Sequence, residues 1–72
     1  MMDHTLSKTL IIINVTELIA EKYRVSIEEA REQLYNSKLI KLIENDDAEL
    51  YGESPLYVFS LFEQEKSHVN GN

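Results

Sequence analysis

The chain has 72 residues, no cysteine and a formal net charge of −6. A chain this short holds one domain and buries only about 60% of the surface its unfolded form exposes, so a single core leaves it marginal. Disulfides and Cys-based zinc sites are excluded, and His4 and His68 lie near opposite ends, which disfavours a His-based metal site. Close helix packing or self-association must supply the remaining stability.

The negative charge is one-sided. Residues 1–41 set six Lys/Arg against six Asp/Glu, whereas residues 42–72 hold seven acids and Lys66 alone. Nucleic-acid affinity comes largely from Lys and Arg neutralising phosphates, so this balance disfavours a phosphate backbone and suits a basic protein surface. The longest apolar run, Leu10–Ile13, is far too short to span a membrane. Residues Met1–Lys8 lack the basic start of a signal peptide, and a cysteine-free chain fits a reducing compartment, so the expected location is cytoplasmic.

A first helix is expected from Thr5 or Ser7 to about Tyr23. Ile11, Val15, Leu18 and Ile19 fall at i, i+4, i+7 and i+8. A second row, Leu6, Leu10 and Ile13, widens the apolar stripe beyond what one neighbour covers. Ile11-Ile12-Ile13 is also compatible with a strand, but the length of the segment and the spacing of Glu17, Glu21 and Lys22 favour helix. Arg24-Val25 is a short connection. Ser26-Ile27-Glu28-Glu29 has the form of a capping box, with Val25 and Ala30 placed as a hydrophobic staple. The second helix then runs to Tyr35 or Asn36, with Ile27, Ala30 and Leu34 on one face and Glu28, Arg31 and Glu32 on the other.

Asn36-Ser37 marks a turn, and Leu39, Ile40, Leu42 and Ile43 open a third helix. Asn45-Asp46-Asp47 either continues it or breaks it, with an Asx residue capping a short piece to Tyr51. Gly52 suits a left-handed helix end. Ser54 as N-cap and Pro55 at the first helical position start a last helix that fades at Gln64–Lys66. Leu56–Phe62 has strand propensity as well, but a lone strand would have no partner. The predicted fold is all-α, a compact bundle of about four short helices over residues 1–65, with a disordered tail over 66–72. The expected core is Ile11, Val15, Leu18, Ile19, Ile27, Ala30, Leu34, Leu39, Ile43, Leu50, Phe59 and Phe62.

The carboxylates Glu44, Asp46, Asp47, Glu49 and Glu53 form the densest polar cluster. A calcium loop needs Gly at its sixth position and a bidentate Glu at its twelfth. Counted from Glu44, those places fall to Glu49 and Pro55, so the cluster reads as a solvated face or a partner-facing patch, with no metal or cofactor expected. The serines have no histidine placed to activate them, and no glycine-rich loop is present to cradle a phosphate, so the chain reads as non-catalytic. Tyr51 and Tyr57 flank the Gly52–Pro55 turn and suit either core packing or interface anchoring. The second and third helices have a helix-turn-helix outline. Nucleic acid could be met only through Lys22, Arg24, Arg31, Lys38 and Lys41, and the third helix turns acidic after Lys41, so this is the alternative reading.

The segments Val25-Ser26-Ile27-Glu28-Glu29-Ala30, Leu34, Leu39-Ile40, Leu42-Ile43, Leu50-Tyr51-Gly52 and Tyr57-Val58 together resemble a family of short, uncharacterised bacterial helical proteins. The resemblance spans about Ile11 to Phe62. It departs at Tyr51, where a histidine is common in that family, and at Pro55 after the turn. Such proteins are often encoded beside toxins resembling ADP-ribosyltransferases, so the resemblance implies an antitoxin-like accessory role and carries over no catalytic residue. The resulting expectation is a protein-interaction module. It would bind through Leu6, Leu10 and Ile13 of the first helix, or through the acidic patch Glu44, Asp46, Asp47, Glu49 and Glu53 with Tyr51 and Tyr57. A homodimer is the expected assembly.

Overall fold

The computed structural model describes residues 4–71, with side chains from His4 to Ser67. Four helices follow in chain order: α1 (Thr5–Tyr23), α2 (Ile27–Tyr35), α3 (Leu39–Glu44) and α4 (Pro55–Gly71), with a 3₁₀ turn at Leu50–Gly52 before α4. No strand occurs among the described residues, so Ile11-Ile12-Ile13 and Leu56–Phe62, both strand-compatible by propensity, are helical. α1 is the spine: α2 and α4 pack on it, and α3 and the 3₁₀ turn also touch it.

The local signals explain where these helices start and stop. The Ser26 hydroxyl accepts the Glu29 N–H at 3.0 Å, the Ser26 half of the capping box. Ser54 does the same for the Tyr57 N–H at 3.1 Å, with Pro55 following as the first residue of α4. α1 ends when Arg24 turns left-handed (φ 57°, ψ 47°), which lets the Val25 N–H reach the Ala20 carbonyl at 3.1 Å. α3 stops at Glu44. Asn45 turns extended and its side-chain oxygen accepts the Asp47 N–H at 2.9 Å, so the Asx break is the one the chain adopts.

Two expectations about the chain path are corrected. Gly52 is not left-handed; the positive φ values belong to Arg24 and Glu49, both at 57°. The left-handed residue thus enters the 3₁₀ turn rather than leaving it. The last helix does not fade at Gln64–Lys66 but continues to Gly71, through most of the stretch expected as a disordered tail, while Asn72 lies outside the described residues. Glu63, Glu65 and Lys66 hold that helix with cross-helix contacts that periodicity does not register.

The core comprises Ile11, Val15, Ile19, Ala30, Leu34, Leu39, Ile40, Ile43, Leu50, Val58 and Phe62. Leu18 and Phe59, expected within it, are half-buried, and Ile27 is exposed. Ile40 and Val58, outside the expected core, are buried. α3 meets α1, α2, α4 and the 3₁₀ turn at once, so it buries two adjacent side chains, Leu39 and Ile40, besides Ile43. On α4 the buried row is Val58–Phe62, one turn apart, with Phe59 at its edge. Thr16 is buried beside the core with no hydrogen-bond partner for Oγ1 among the described residues. An unpaired buried hydroxyl costs about 1–3 kcal/mol, a large term in so small a domain.

Candidate interaction surface

On α1, Leu6, Leu10 and Ile13 are 69%, 50% and 47% exposed, whereas Ile11, Val15 and Ile19 are buried. At 3.6 residues per turn the two rows lie on opposite sides of the helix cylinder. The Leu6–Leu10–Ile13 row therefore does not widen the core stripe. It forms a separate apolar ridge facing away from the bundle. Leu and Ile at i, i+4 and i+7 make a straight ridge of the kind that seats in another surface.

The acidic segment after α3 is partly occupied from within. The Lys8 ammonium ion-pairs with Asp46 and donates to the Glu44 carbonyl at 3.0 Å. It also lies 5.9 Å from the Tyr51 ring centre, and the His4 ring stacks on Tyr51 with centroids 4.3 Å apart. Thus Asp46 and half-buried Tyr51 fasten the irregular segment to the start of α1. Glu44, Asp47, Glu49, Glu53 and Tyr57 have exposed side chains. The ten side chains expected to mediate binding therefore fall into two sets: the α1 ridge, and an acidic segment already anchored through Lys8. No group of three or more His, Asp or Glu side chains is placed to hold a metal ion among the described residues.

The basic residues are similarly divided. Lys22 donates to Glu63 of α4 at 2.7 Å, and Tyr23 donates its hydroxyl to the same carboxylate oxygen at 3.1 Å. The Lys22 hydrogen bond and charge hold the Glu63 carboxyl below the ordinary carboxylate range, and the same bond raises Lys22. Desolvation first, and the hydrogen bond to Glu63 second, push the Tyr23 phenol up. Arg24, Arg31, Lys38 and Lys41 are exposed. The backbone N–H groups of Lys38 and Leu39 both donate to Glu65 of α4, at 2.8 and 3.1 Å.

That Glu65 contact is a helix cap supplied from elsewhere in the chain. Lys38 provides no side-chain cap for α3, and the carboxylate 27 residues later takes over. Spacing could not show it, because capping boxes are recognised only at local offsets. Ile27, expected in the core, is exposed, and so is Leu56, to which the sequence pattern assigns no role. For Leu56 a signal existed, since it follows directly on the Ser54-Pro55 start and lies off the Val58–Phe62 row. No helix among the described residues is long and apolar enough to cross a membrane. No family model, curated protein or solved structure matches the chain.

Proposed function

We propose that this chain is a non-catalytic protein-interaction module whose primary contact is the outer ridge of α1, and that it acts as an antitoxin-like accessory protein. The observation that carries the reading is the exposure of Leu6, Leu10 and Ile13 in one row, on the side of α1 away from the core. Leaving three aliphatic side chains in water on a 72-residue domain forgoes burial that such a chain needs. A partner surface recovers it. The antitoxin-like role rests on the family resemblance, which supplies the class of partner and no residue roles.

The simplest occupant of the ridge is a second copy, packed across a two-fold axis. In an antiparallel pairing Glu17 and Glu21 of the two copies lie far apart, while in a parallel one they would face each other and repel. Three half-exposed aliphatic side chains amount to roughly 300 Å². A standard interface takes about 800 Å² from each partner, so the ridge alone gives a weak dimer. Sedimentation equilibrium tests this. Mass should rise toward the dimer at high micromolar concentration, and Leu10→Glu should return it to monomer. A wild-type chain that stays monomeric throughout that range overturns the self-association.

A further inference from the structure

An open groove of about 760 Å³ runs between the middle of α1 and the start of α4. Its floor is apolar: Leu18, Ile27, Pro55 and Leu56 line it, and Leu56 is 68% exposed. Its rim is acidic, formed by Glu17 and Glu21 of α1. Glu53, two residues before Pro55 in the chain, is also exposed. No Lys or Arg is among the residues that line it; Arg31 lies beside Glu17 and Ile27 in an adjoining pocket, and Lys22, the neighbour of Glu21, is drawn to Glu63.

An apolar trough whose own charged lining is two carboxylates selects its occupant. We propose that this groove docks an amphipathic, cationic helix from a different protein. Apolar side chains of that helix at i, i+4 and i+7 would settle between Leu18 and Leu56, and its flanking Lys or Arg would meet Glu17 and Glu21. The floor supplies area removed from water, and the rim supplies orientation and a faster encounter. A second copy is a poor occupant. Its own apolar ridge, Leu6–Leu10–Ile13, is flanked by Ser7, Thr9 and Asn14, and the nearby cation, Lys8, is engaged by Asp46 and the Glu44 carbonyl. This inference names the partner chemistry for the interaction-module reading and rests on it; the groove adjoins the α1 ridge at Asn14 but presents other apolar side chains, Leu18, Ile27, Pro55 and Leu56.

The test is an NMR titration of the full-length, ¹⁵N-labelled chain with a synthetic Lys/Leu peptide of about 15 residues, long enough to form helix. A peptide of the same composition, ordered so that it has no apolar stripe, serves as control. Amide shifts centred on Leu18, Glu21 and Leu56 are expected, with the control peptide binding more weakly. Leu56→Asp should weaken the striped peptide about tenfold by placing a charge against its apolar face, and the double reversal Glu17→Lys with Glu21→Lys should do so by repulsion. Leu56 is exposed, and the reversal variant gives an independent reading if the Asp variant unfolds. Shifts centred on Asp47–Glu53, equal binding of both peptides, or indifference to both variants would each overturn the proposal. So would groove resonances that move on dilution of the protein alone, because a second copy would then be the occupant. Self-association is read separately by sedimentation, so either surface can fail without the other.

Discussion

The two ends of α1 are fastened to the rest of the molecule in different ways. At the Tyr23 end, α1 meets α4 as one regular helix on another. Lys22 and Tyr23 share the Glu63 carboxylate, and Lys66 lies 4.7 Å from the Tyr23 ring centre while donating to Gln33 of α2 at 3.3 Å. At the Lys8 end, α1 holds an irregular segment. Lys8 takes the Glu44 carbonyl and the Asp46 carboxylate, and His4 stacks on Tyr51. The first arrangement joins side chains to side chains on elements that would be helical anyway. The second satisfies a backbone carbonyl at the point where α3 runs out of helical partners. Removing a contact of the first kind weakens an attachment, while removing one of the second kind leaves a backbone group without its partner.

Glu65 shows that the second kind also occurs on the regular helix α4, and it gives the largest expected effect. Its carboxylate accepts two N–H groups at the start of α3. Glu65→Ala should cost about 1–2 kcal/mol, as loss of a charged cap does, and Glu65→Gln about half of that. Lys8→Met, at the other end, should cost about 1 kcal/mol, because Glu44 is exposed and water can replace the ammonium at its carbonyl. Urea midpoints rank the three variants. Hydrogen exchange locates the damage, which for both positions should concentrate in α3 amides, at its start for Glu65 and at its end for Lys8. Equal losses for Glu65→Ala and a neutral surface substitution such as Glu28→Ala would remove the distinction between the two kinds of contact.

The difference between these contacts also separates what could be read from the sequence from what could not. Ile11, Val15 and Ile19 announced their burial by spacing, and Ser26 and Ser54 announced their helices by local capping chemistry. The all-α architecture follows from those signals alone. Glu65 capping Lys38 and Leu39, or Lys8 reaching Glu44, depends on how helices lie against each other after folding, and no fixed offset encodes it. The same limit hid the groove. Leu18 and Ile27 carry an inward-facing pattern, yet Leu18 is only half-buried and Ile27 exposed, because no side chain among the described residues covers them fully. The ridge at Leu6, Leu10 and Ile13 was legible as an apolar surplus, but its position opposite the core was not, since a wide stripe and two opposed stripes share much of the same residue list.

The side-chain cluster at the Tyr23 end should reveal itself through pH. Glu63 has its carboxyl pKa lowered in the folded state, chiefly by the hydrogen bond from Lys22. A lowered acid pKa contributes stability that is present above the unfolded value, about 4.3 for glutamate, and lost as pH falls through the folded value. Lys22 and Tyr23 are raised, so their contribution is complete below their unfolded values and is lost as pH climbs through the folded ones, above about 10. The chain should therefore lose this increment both below pH 4.3 and above pH 10. Glu63→Gln should flatten the acid limb and the Lys22 part of the alkaline limb, leaving the part of the Tyr23 contribution that comes from desolvation. The effect is smaller than that of Glu65→Ala, since Lys22 is more than half exposed and water screens the pair. Thermal melts of wild type and Glu63→Gln from pH 3 to pH 11 test this; parallel curves would show that the cluster adds nothing to folding.

The smallest effect concerns the one left-handed residue near each end, Arg24 after α1 and Glu49 before the 3₁₀ turn, both at φ 57°. An L-residue in that region costs about 1 kcal/mol relative to glycine, partly offset by the freedom glycine regains when the chain unfolds. At Arg24 the conformation closes a helix end whose backbone bonds to Ala20 would be kept by any residue. Arg24→Gly should therefore gain a few tenths of a kcal/mol and no more. At Glu49 a second term adds to the first. The residue stands in the same acidic segment as Asp46, Asp47 and Glu53, so Glu49→Gly relieves both the backbone and the charge crowding. Glu49→Gln separates the two, because it removes the charge and keeps the Cβ. If crowding contributes, the gain from Glu49→Gln should shrink as salt is added, while the remaining advantage of glycine should be insensitive to salt. Urea midpoints at low and high ionic strength measure both parts, and a Glu49→Gly variant less stable than Glu49→Gln under both conditions would show that the irregular segment depends on glutamate at that position.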